Sequence, residues 1–218
     1  LADLAILFFL VKIFPHKKQK LILFYFLNPI IIYSIYIRSQ LDIIPTALLF
    51  GSVYFLLLDK IKISSIFFGL ALSTKFHVII ALPLVLFYLY KKQKSIKVVE
   101  YIAISFFILL LLDLPFLFSE GFLNMVLLNP KQTLLFDTFY SIGTLKILLP
   151  IAAILMVYLH FFNQNKVNQD LLFFYFGLLF TATVFFIYPA PAWYVWMIPF
   201  LSIYFIQNQN QKKSVLLY

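Results

Sequence analysis

The sequence contains no cysteine and few charged residues. The absence of cysteine from all 218 positions excludes disulfides, cysteine-based metal sites and thiol catalysis. Charged residues make up 11% of the chain, whereas a soluble domain carries roughly 25%. Acidic residues are the scarcer kind, with 8 Asp and Glu against 17 Lys and Arg. A chain with so few charges cannot cover a water-facing surface, so the composition excludes an ordinary soluble domain.

Long apolar runs take the place of the missing charges. Hydrophobic residues make up 64% of the chain and aromatic residues 20%, and the mean hydropathy is +1.00. Continuous apolar runs predict membrane-spanning helices, because a helix pairs all its backbone polar groups internally. We therefore predict an all-α polytopic transmembrane helical bundle of about eight or nine membrane segments, forming one domain over residues 1–218. The predicted spans are 1–14, 21–37, 41–58, 63–74, 77–90, 98–118, 144–162, 171–188 and 192–206.

The basic residues lie in short clusters between the predicted spans. When alternate breaks are placed on alternate sides, one side collects 13 of the 17 basic residues. These are Lys12, Lys17, Lys18, Lys20, Lys60, Lys62, Lys91, Lys92, Lys94, Lys97, Lys166, Lys212 and Lys213. The positive-inside rule places that side in the cytoplasm. Because the lysines act as topology signals, the net charge of +9 does not predict a nucleic-acid partner.

Two stretches fit this pattern less simply. Residues 63–90 are too long for one ordinary span and too short for two. They predict either a hairpin of two short helices or one broken helix that holds Lys75 and His77 at depth. Residues 119–143 are the one long loop that the sequence predicts, on the non-cytoplasmic side.

Polar and charged residues gather on the side opposite the lysine clusters. An ionisable residue at membrane depth is costly, so it is a candidate for function, although each one alone could be an interfacial residue beside lipid headgroups. The group is Asp3, Arg38, Gln40, Asp42, Lys75, His77, Glu120, Lys131, Asp137, Trp193 and Tyr194.

A short turn between two predicted spans holds Arg38, Gln40 and Asp42. It follows Asn28-Pro29, which is expected to break the incoming helix because proline lacks a backbone N–H. Arginine can bind phosphate with two parallel hydrogen bonds. The amide and the carboxylate can bind sugar hydroxyls, and the carboxylate can act as a base. A salt-bridged turn without further function is an equally good interpretation.

Two more groups of candidates follow. Lys75 and His77 stand at a predicted helix junction, where two donors suit a phosphate or pyrophosphate. Near the C-terminus, Trp193, Tyr194 and Trp196 could form a wall for a sugar or an isoprenoid, or they could be an interfacial aromatic belt, which we favour for Trp196. With three histidines, no HExxH and no DxD pair, the sequence predicts neither a metal ion nor a cofactor.

Four stretches of the chain resemble a known family. They are LADLAILFFL, NPIIIYSIYIRSQLDIIPTALLFGSVYFLL, GLALSTKFHVIIALPLVLFYLYKK and PAWYVWMIPFL. They are similar to integral-membrane glycosyltransferases of the GT-C superfold, most of all to the polyprenyl-phosphate-mannose-dependent mannosyltransferases. The resemblance implies transfer of a hexose, with mannose favoured, from a polyprenyl-phosphate donor to a glycan or glycolipid acceptor. Donor, acceptor and lipid bilayer would meet at the non-cytoplasmic face.

The resemblance also implies roles for particular residues. Arg38, Gln40 and Asp42 correspond to the family's Gln-x-Asp turn, and Lys75 falls at its lysine junction. Tyr194 and Trp196 match its aromatic segment, and Asp3 matches the Ala-Asp-Leu that opens an early helix. The family's usual catalytic carboxylate lies in a first external loop, which would precede Leu1. We therefore expect an N-terminally truncated chain that lacks the first span and that loop, with Asp42 as its best candidate for a catalytic base.

Two other classes of protein remain open. A transporter or flippase for a lipid-linked or anionic solute would also use broken helices and intramembrane charges, although its site would lie near the midplane rather than at one face. A structural subunit would leave the clustered charges without a role. For the transferase, the orientation predicts a bacterial inner membrane, or an endoplasmic reticulum membrane in a eukaryote. Lys, Asn, Ile and Phe usage favours the bacterium.

Overall fold

The computed structural model describes residues 1–92, 94–187 and 191–207. About 81% of the structure is helical, which confirms the all-α prediction. The main helices are α1 (Ala2–Ile13), α2 (Pro15–Phe26), α3 (Pro29–Ile37), α4 (Ile43–Leu57), α5 (Ile61–Thr74), α6 (Phe76–Lys91), α7 (Ser95–Phe116), α8 (Leu149–Phe162), α9 (Gln169–Phe186) and α10 (Ile198–Gln207). A short helical turn, Pro191–Trp196, precedes α10.

The number of membrane crossings stays a prediction. Within the described residues, α7 and α9 are long and apolar enough to cross a membrane, and α2 with α3 gives a third span if that bent pair counts as one. The remaining apolar helices have 10 to 17 residues. A lipid core about 30 Å thick needs roughly 20 helical residues, so these lengths do not show which of the shorter helices cross it.

The bend between α2 and α3 lies at the predicted Asn28-Pro29 break. The Asn28 side chain accepts a hydrogen bond of 2.9 Å from the Ile30 backbone N–H and so caps the start of α3. Pro29 occupies the first turn, where its missing N–H costs nothing. The two helices meet at 52°. The prediction that this dipeptide breaks the incoming helix is confirmed.

Residues 63–90 form two helices that run in opposite directions. Asp59, before α5, pairs with Lys94, after α6, so the chain leaves one end of the bundle and returns to it. Lys62 and Lys97 both pair with Glu100 at that same end. Lys75 lies at the far turn, in extended backbone with φ −163° and ψ 121°. The hairpin is therefore the correct one of the two interpretations of this stretch.

Buried hydroxyl groups join α4, α5 and α7. The Ser52 and Ser64 hydroxyls lie 3.2 Å apart, and the Ser52 hydroxyl is 2.8 Å from that of Tyr101. The Ser64 hydroxyl also donates to the Ser52 carbonyl at 2.7 Å. All three side chains are fully buried. Because an unpaired hydroxyl in an apolar interior is costly, these bonds favour one axial alignment of the three helices.

Gly69 allows α5 and α7 to approach closely. A Cβ atom at this position would lie 2.6 Å from the Ser105 carbonyl oxygen and 2.7 Å from Ile108 Cβ. Both are nearer than real Cβ contacts, and the oxygen belongs to the backbone, which cannot move away easily. We expect Gly69→Ala to destabilise the protein by roughly 1–3 kcal/mol through overpacking.

The measurement is the thermal midpoint of the purified protein in detergent. At about 2–4 °C per kcal/mol for a chain of this size, Gly69→Ala should lower the Tm by several degrees. Gly121→Ala is the matched control, because a Cβ at Gly121 meets no atom within 4 Å. Equal midpoints for the two variants would show that the α5–α7 contact is not close.

Residues 119–148 differ from the prediction in two ways. The predicted long loop folds into short helical turns between 120 and 137, and then into an antiparallel pair of strands, β1 (Phe139–Ile142) and β2 (Leu145–Leu148). The span predicted at 144–162 therefore begins too early, since 145–148 is strand and α8 starts at Leu149. Gly143 allows the chain to reverse direction between β1 and β2, because glycine readily adopts its positive φ of 61°.

Candidate functional site

A cavity of about 470 Å³ with both apolar and polar walls lies at one end of the bundle. The start of α4, the α5–α6 junction, the segment around 125–135 and the Trp193–Trp196 turn form its walls. Its polar lining includes Gln40, Asp42, Lys75, His77, Asn129 and Lys131. This is the end opposite the Asp59–Lys94 pair, because Asp42 precedes α4 and Asp59 follows it. The prediction that polar groups gather away from the lysine clusters agrees with this placement.

Another cavity, of about 500 Å³, lies at the lysine-rich end. It is shallow, and its lining consists of Asp59, Lys60, Ile61, Lys62, Ile63, Lys94 and Lys97. Asp59 and Lys94 pair with each other there, while Lys62 and Lys97 pair with Glu100. It has no aromatic wall among the described residues. We place the candidate site in the first cavity, where charged, aromatic and hydrogen-bonding groups converge.

Lys75 holds the central position in the site. α5 ends at Thr74, and the extended backbone of Lys75 directs the chain into α6. Its ammonium forms an ion pair with the Asp42 carboxylate and lies 5.0 Å from the centre of the Trp196 ring and 5.8 Å from that of Trp193. A carboxylate and two aromatic rings together stabilise a cation that is only 35% exposed.

Asp42 lies directly before a helix. It occupies the position before α4, and the Thr46 hydroxyl donates a 3.0 Å hydrogen bond to its carbonyl. In the described part of the chain, its carboxylate does not cap the helix, and the side chain is 11% exposed. The carboxylate is therefore available to the cavity and to Lys75.

Three aromatic rings form a continuous stack beside this pair. The His77 and Trp196 rings are 3.7 Å apart and nearly parallel at 15°, and the Trp193 and Trp196 rings are 5.2 Å apart at 16°. Trp196 is 4% exposed. Its Nε1–H and the Nδ1 of His77 have no hydrogen-bond partner among residues 1–92, 94–187 and 191–207. Both side chains line the cavity, and each of these two atoms is buried there without a partner.

The structure brings five of the predicted site residues together and leaves three apart. Gln40, Asp42, Lys75, His77 and Trp193 all line the cavity. The other three predicted residues, Asp3, Arg38 and Tyr194, are not among the residues that line it.

Each of these three residues contacts other groups. Asp3 is 2% exposed and accepts a hydrogen bond from the Tyr36 hydroxyl. The Nε of Arg38 donates to the Tyr33 hydroxyl at 3.1 Å. Tyr194 is half-buried and packs against the hydrophobic core.

The cavity also contains residues that the sequence did not predict for the site. For Trp196 the sequence favours an aromatic belt over a wall of the site, and it places Asn129 and Gln132 in the predicted loop. The sequence signal for this segment was the Asn129-Pro130 dipeptide. It has the same two residues as Asn28-Pro29, where one helix ends and the next begins. Like Asn28, Asn129 accepts a 2.9 Å hydrogen bond from the backbone N–H two residues later. Within the described residues, no three His, Asp or Glu side chains are grouped closely enough to hold a metal ion.

The fold and the site define a mainly helical integral membrane protein with a charged and aromatic cavity at one end of its bundle. A model of the ALG3 protein family matches residues 2–129, which is more than half of the chain. The chain therefore belongs to the ALG3 family, a family of membrane glycosyltransferases. No curated protein and no solved structure matches the chain.

Proposed function

We propose that this chain transfers mannose from a polyprenyl-phosphate donor to a glycan or glycolipid acceptor, and that the cavity around Lys75 is its site. The observation that carries the proposal is the Lys75–Asp42 pair beside stacked aromatic rings, at one end of a bundle in a glycosyltransferase family. A lipid-phosphate donor keeps its chain in the bilayer and its sugar at the interface. A site at the end of the helices matches that geometry.

The cations of the cavity suit the phosphate of such a donor. Lys75 and Lys131 both line it. When the acceptor hydroxyl oxygen bonds to the anomeric carbon, the bond from that carbon to the phosphate oxygen breaks, and the electron pair leaves with the lipid phosphate. Positive charge next to the departing oxygen stabilises the transition state more than the ground state.

Asp42 is the base in this proposal. Its carboxylate accepts the proton of the acceptor hydroxyl as the new glycosidic bond forms, which leaves a neutral acid and a lipid phosphate. Among the described residues, Asp42 is the carboxylate that lines the cavity.

The aromatic stack supplies the surface for the sugar. One face of Trp193 is covered by Trp196, and the indole can present its other face to a pyranose ring. The unpaired Trp196 Nε1–H and His77 Nδ1 can hydrogen-bond sugar hydroxyls. The lysine-rich end opposite the site would lie in the cytoplasm, so the site would open on the non-cytoplasmic face. The type of membrane, bacterial or endoplasmic reticulum, stays a prediction.

Trp196→Phe tests the contribution of the indole N–H. Phenylalanine keeps the stack and removes the donor, so we expect kcat/KM for the sugar donor to fall about tenfold, the equivalent of one hydrogen bond of 1.4 kcal/mol. Tyr175→Phe is the control, because it removes a hydroxyl that contacts His160 away from the cavity. An unchanged kcat/KM in Trp196→Phe would show that this N–H does not contact the sugar.

The proposed function is tested with radiolabelled polyprenyl-phosphate-mannose and membranes that contain the full-length protein. Label that appears in a new product, and does not appear in membranes without the protein, supports the transferase. Polyprenyl-phosphate-glucose in parallel shows whether mannose is preferred. If no hexose donor gives product while labelled donor crosses the membrane, the transporter or flippase is the correct alternative.

A further inference from the structure

The Lys75–Asp42 pair presents a difficulty for the proposed reaction, and the inference that follows rests on that reaction. Lys75 is needed for the phosphate and Asp42 for the acceptor proton, yet in the structure each group neutralises the other. A carboxylate paired with an ammonium is a poorer base than a free one, because the cation stabilises its charged form. While the pair is intact, the Lys75 ammonium is less able to bind the phosphate, and the Asp42 carboxylate is less able to accept a proton.

We propose that the donor phosphate opens this pair: it draws the Lys75 ammonium away from Asp42, and the freed carboxylate then becomes the base. Asp42 thus acts as a latch that holds Lys75 until a lipid phosphate arrives. The acceptor is deprotonated only when the donor is already in place, so donor binding precedes productive acceptor binding.

The geometry allows the lysine, rather than the aspartate, to move. Asp42 is anchored at the start of a 15-residue helix, with its carbonyl bonded to Thr46. Lys75 stands on extended backbone between two helix ends and carries a flexible four-carbon chain. The Trp193 and Trp196 rings lie 5.8 and 5.0 Å from its ammonium, so the cation can keep an aromatic contact while it changes its anionic partner.

The charges of the cavity favour the same exchange. Its charged lining consists of Asp42, Lys75 and Lys131, which leaves one positive charge in excess when His77 is neutral. A polyprenyl-phosphate-sugar is a phosphodiester with one negative charge, so its binding makes the cavity neutral. Lys131 and Lys75 line the same cavity, and an anion bound between two cations reduces their mutual repulsion.

The test measures binding rather than catalysis. The chain has two tryptophans, and both lie within 6 Å of the Lys75 ammonium. Their fluorescence therefore reports on the pair. The purified 218-residue chain in detergent is titrated with polyprenyl phosphate, which has no sugar to transfer. Inorganic phosphate and the uncharged polyprenol are separate arms that show which part of the lipid phosphate is bound.

The latch predicts that Asp42→Asn binds polyprenyl phosphate about fivefold more tightly than the unmodified chain, because the phosphate no longer competes with a carboxylate. Asp42→Ser should behave alike, and serine also suits the position before a helix. Asp59→Asn, which breaks the comparable pair at the other end, should bind as the unmodified chain does.

A double-mutant cycle separates the latch from a structural role for Asp42. In a Lys75→Met background, Asp42→Asn should give a smaller gain in affinity than in the unmodified chain, because only the direct repulsion between carboxylate and phosphate is then removed and the competition for Lys75 is absent. Equal or weaker binding by both folded Asp42 variants would overturn the latch. The proposed function would still stand if the same protein transfers sugar, so the two can fail separately.

Discussion

Asp42→Asn is expected to lower the rate of sugar transfer about a thousandfold, in the middle of the range for loss of a general base. Asparagine keeps the shape of the side chain and its place before α4, but its amide cannot accept the acceptor proton. Because the latch is lost as well, donor binding should tighten while kcat falls, so the KM for the donor should fall or stay unchanged. The measurement is initial-rate transfer from radiolabelled polyprenyl-phosphate-mannose at several donor concentrations.

The control for this variant is Asp59→Asn. Asp59 also ends a turn next to α4 and also pairs with a lysine, but at the opposite end of the bundle. Its φ of 63° is in the region that asparagine tolerates. Transfer should continue at its normal rate. A similar loss in both variants would indicate damage to the fold, and a loss in neither would remove Asp42 from the chemistry.

Lys75→Met is expected to reduce transfer by about two to three orders of magnitude, which is the usual effect of removing one group that stabilises developing negative charge. Methionine keeps most of the length and the apolar contacts of the lysine side chain. It cannot bind phosphate, so polyprenyl phosphate should bind more weakly and kcat should also fall. Binding is followed by tryptophan fluorescence, and transfer by the radiolabel assay.

Lys94→Met is the matched control, since it breaks the other Asp–Lys pair and should leave transfer unchanged. Lys75→Arg provides a second comparison. It keeps the charge, so it should retain much of the phosphate binding while placing the cation differently. If Lys75→Met transfers sugar at the normal rate, the phosphate is bound elsewhere and the proposed arrangement of the cavity is wrong.

Helix positions were predictable because apolar runs and their breaks leave strong local signals. Asn28-Pro29 marks a bend, and the lysine clusters mark the ends of segments. The 120–148 region was not predictable in the same way. The β1–β2 pair depends on a reversal at Gly143. Apolar composition alone does not distinguish a short strand from the first turn of a helix.

The site could be predicted in part for a related reason. Asp42 and Lys75 stand out because a charge between apolar spans is rare and costly. Asp3 and Arg38 satisfy the same criterion, yet their partners, Tyr36 and Tyr33, are visible only in three dimensions. Trp196 is the opposite case, a residue of the cavity that the sequence did not single out. Its position in the sequence is explained by an interfacial aromatic belt, but in the structure it stacks on His77 and lines the cavity.

The Ser52–Ser64 contact has a consequence for the separation of Asp42 and Lys75. Asp42 lies ten residues before Ser52, and Lys75 lies eleven residues after Ser64. At 1.5 Å per residue, these are lengths of about 15 and about 16.5 Å along two antiparallel helices. The contact between the two hydroxyls thus fixes the axial alignment of α4 and α5, and this alignment places both charged groups at a similar depth. A slip of one residue between α4 and α5 would separate the two charges by about 1.5 Å. Two buried serines that do not line the cavity therefore determine how closely the two charged groups of the site can approach each other.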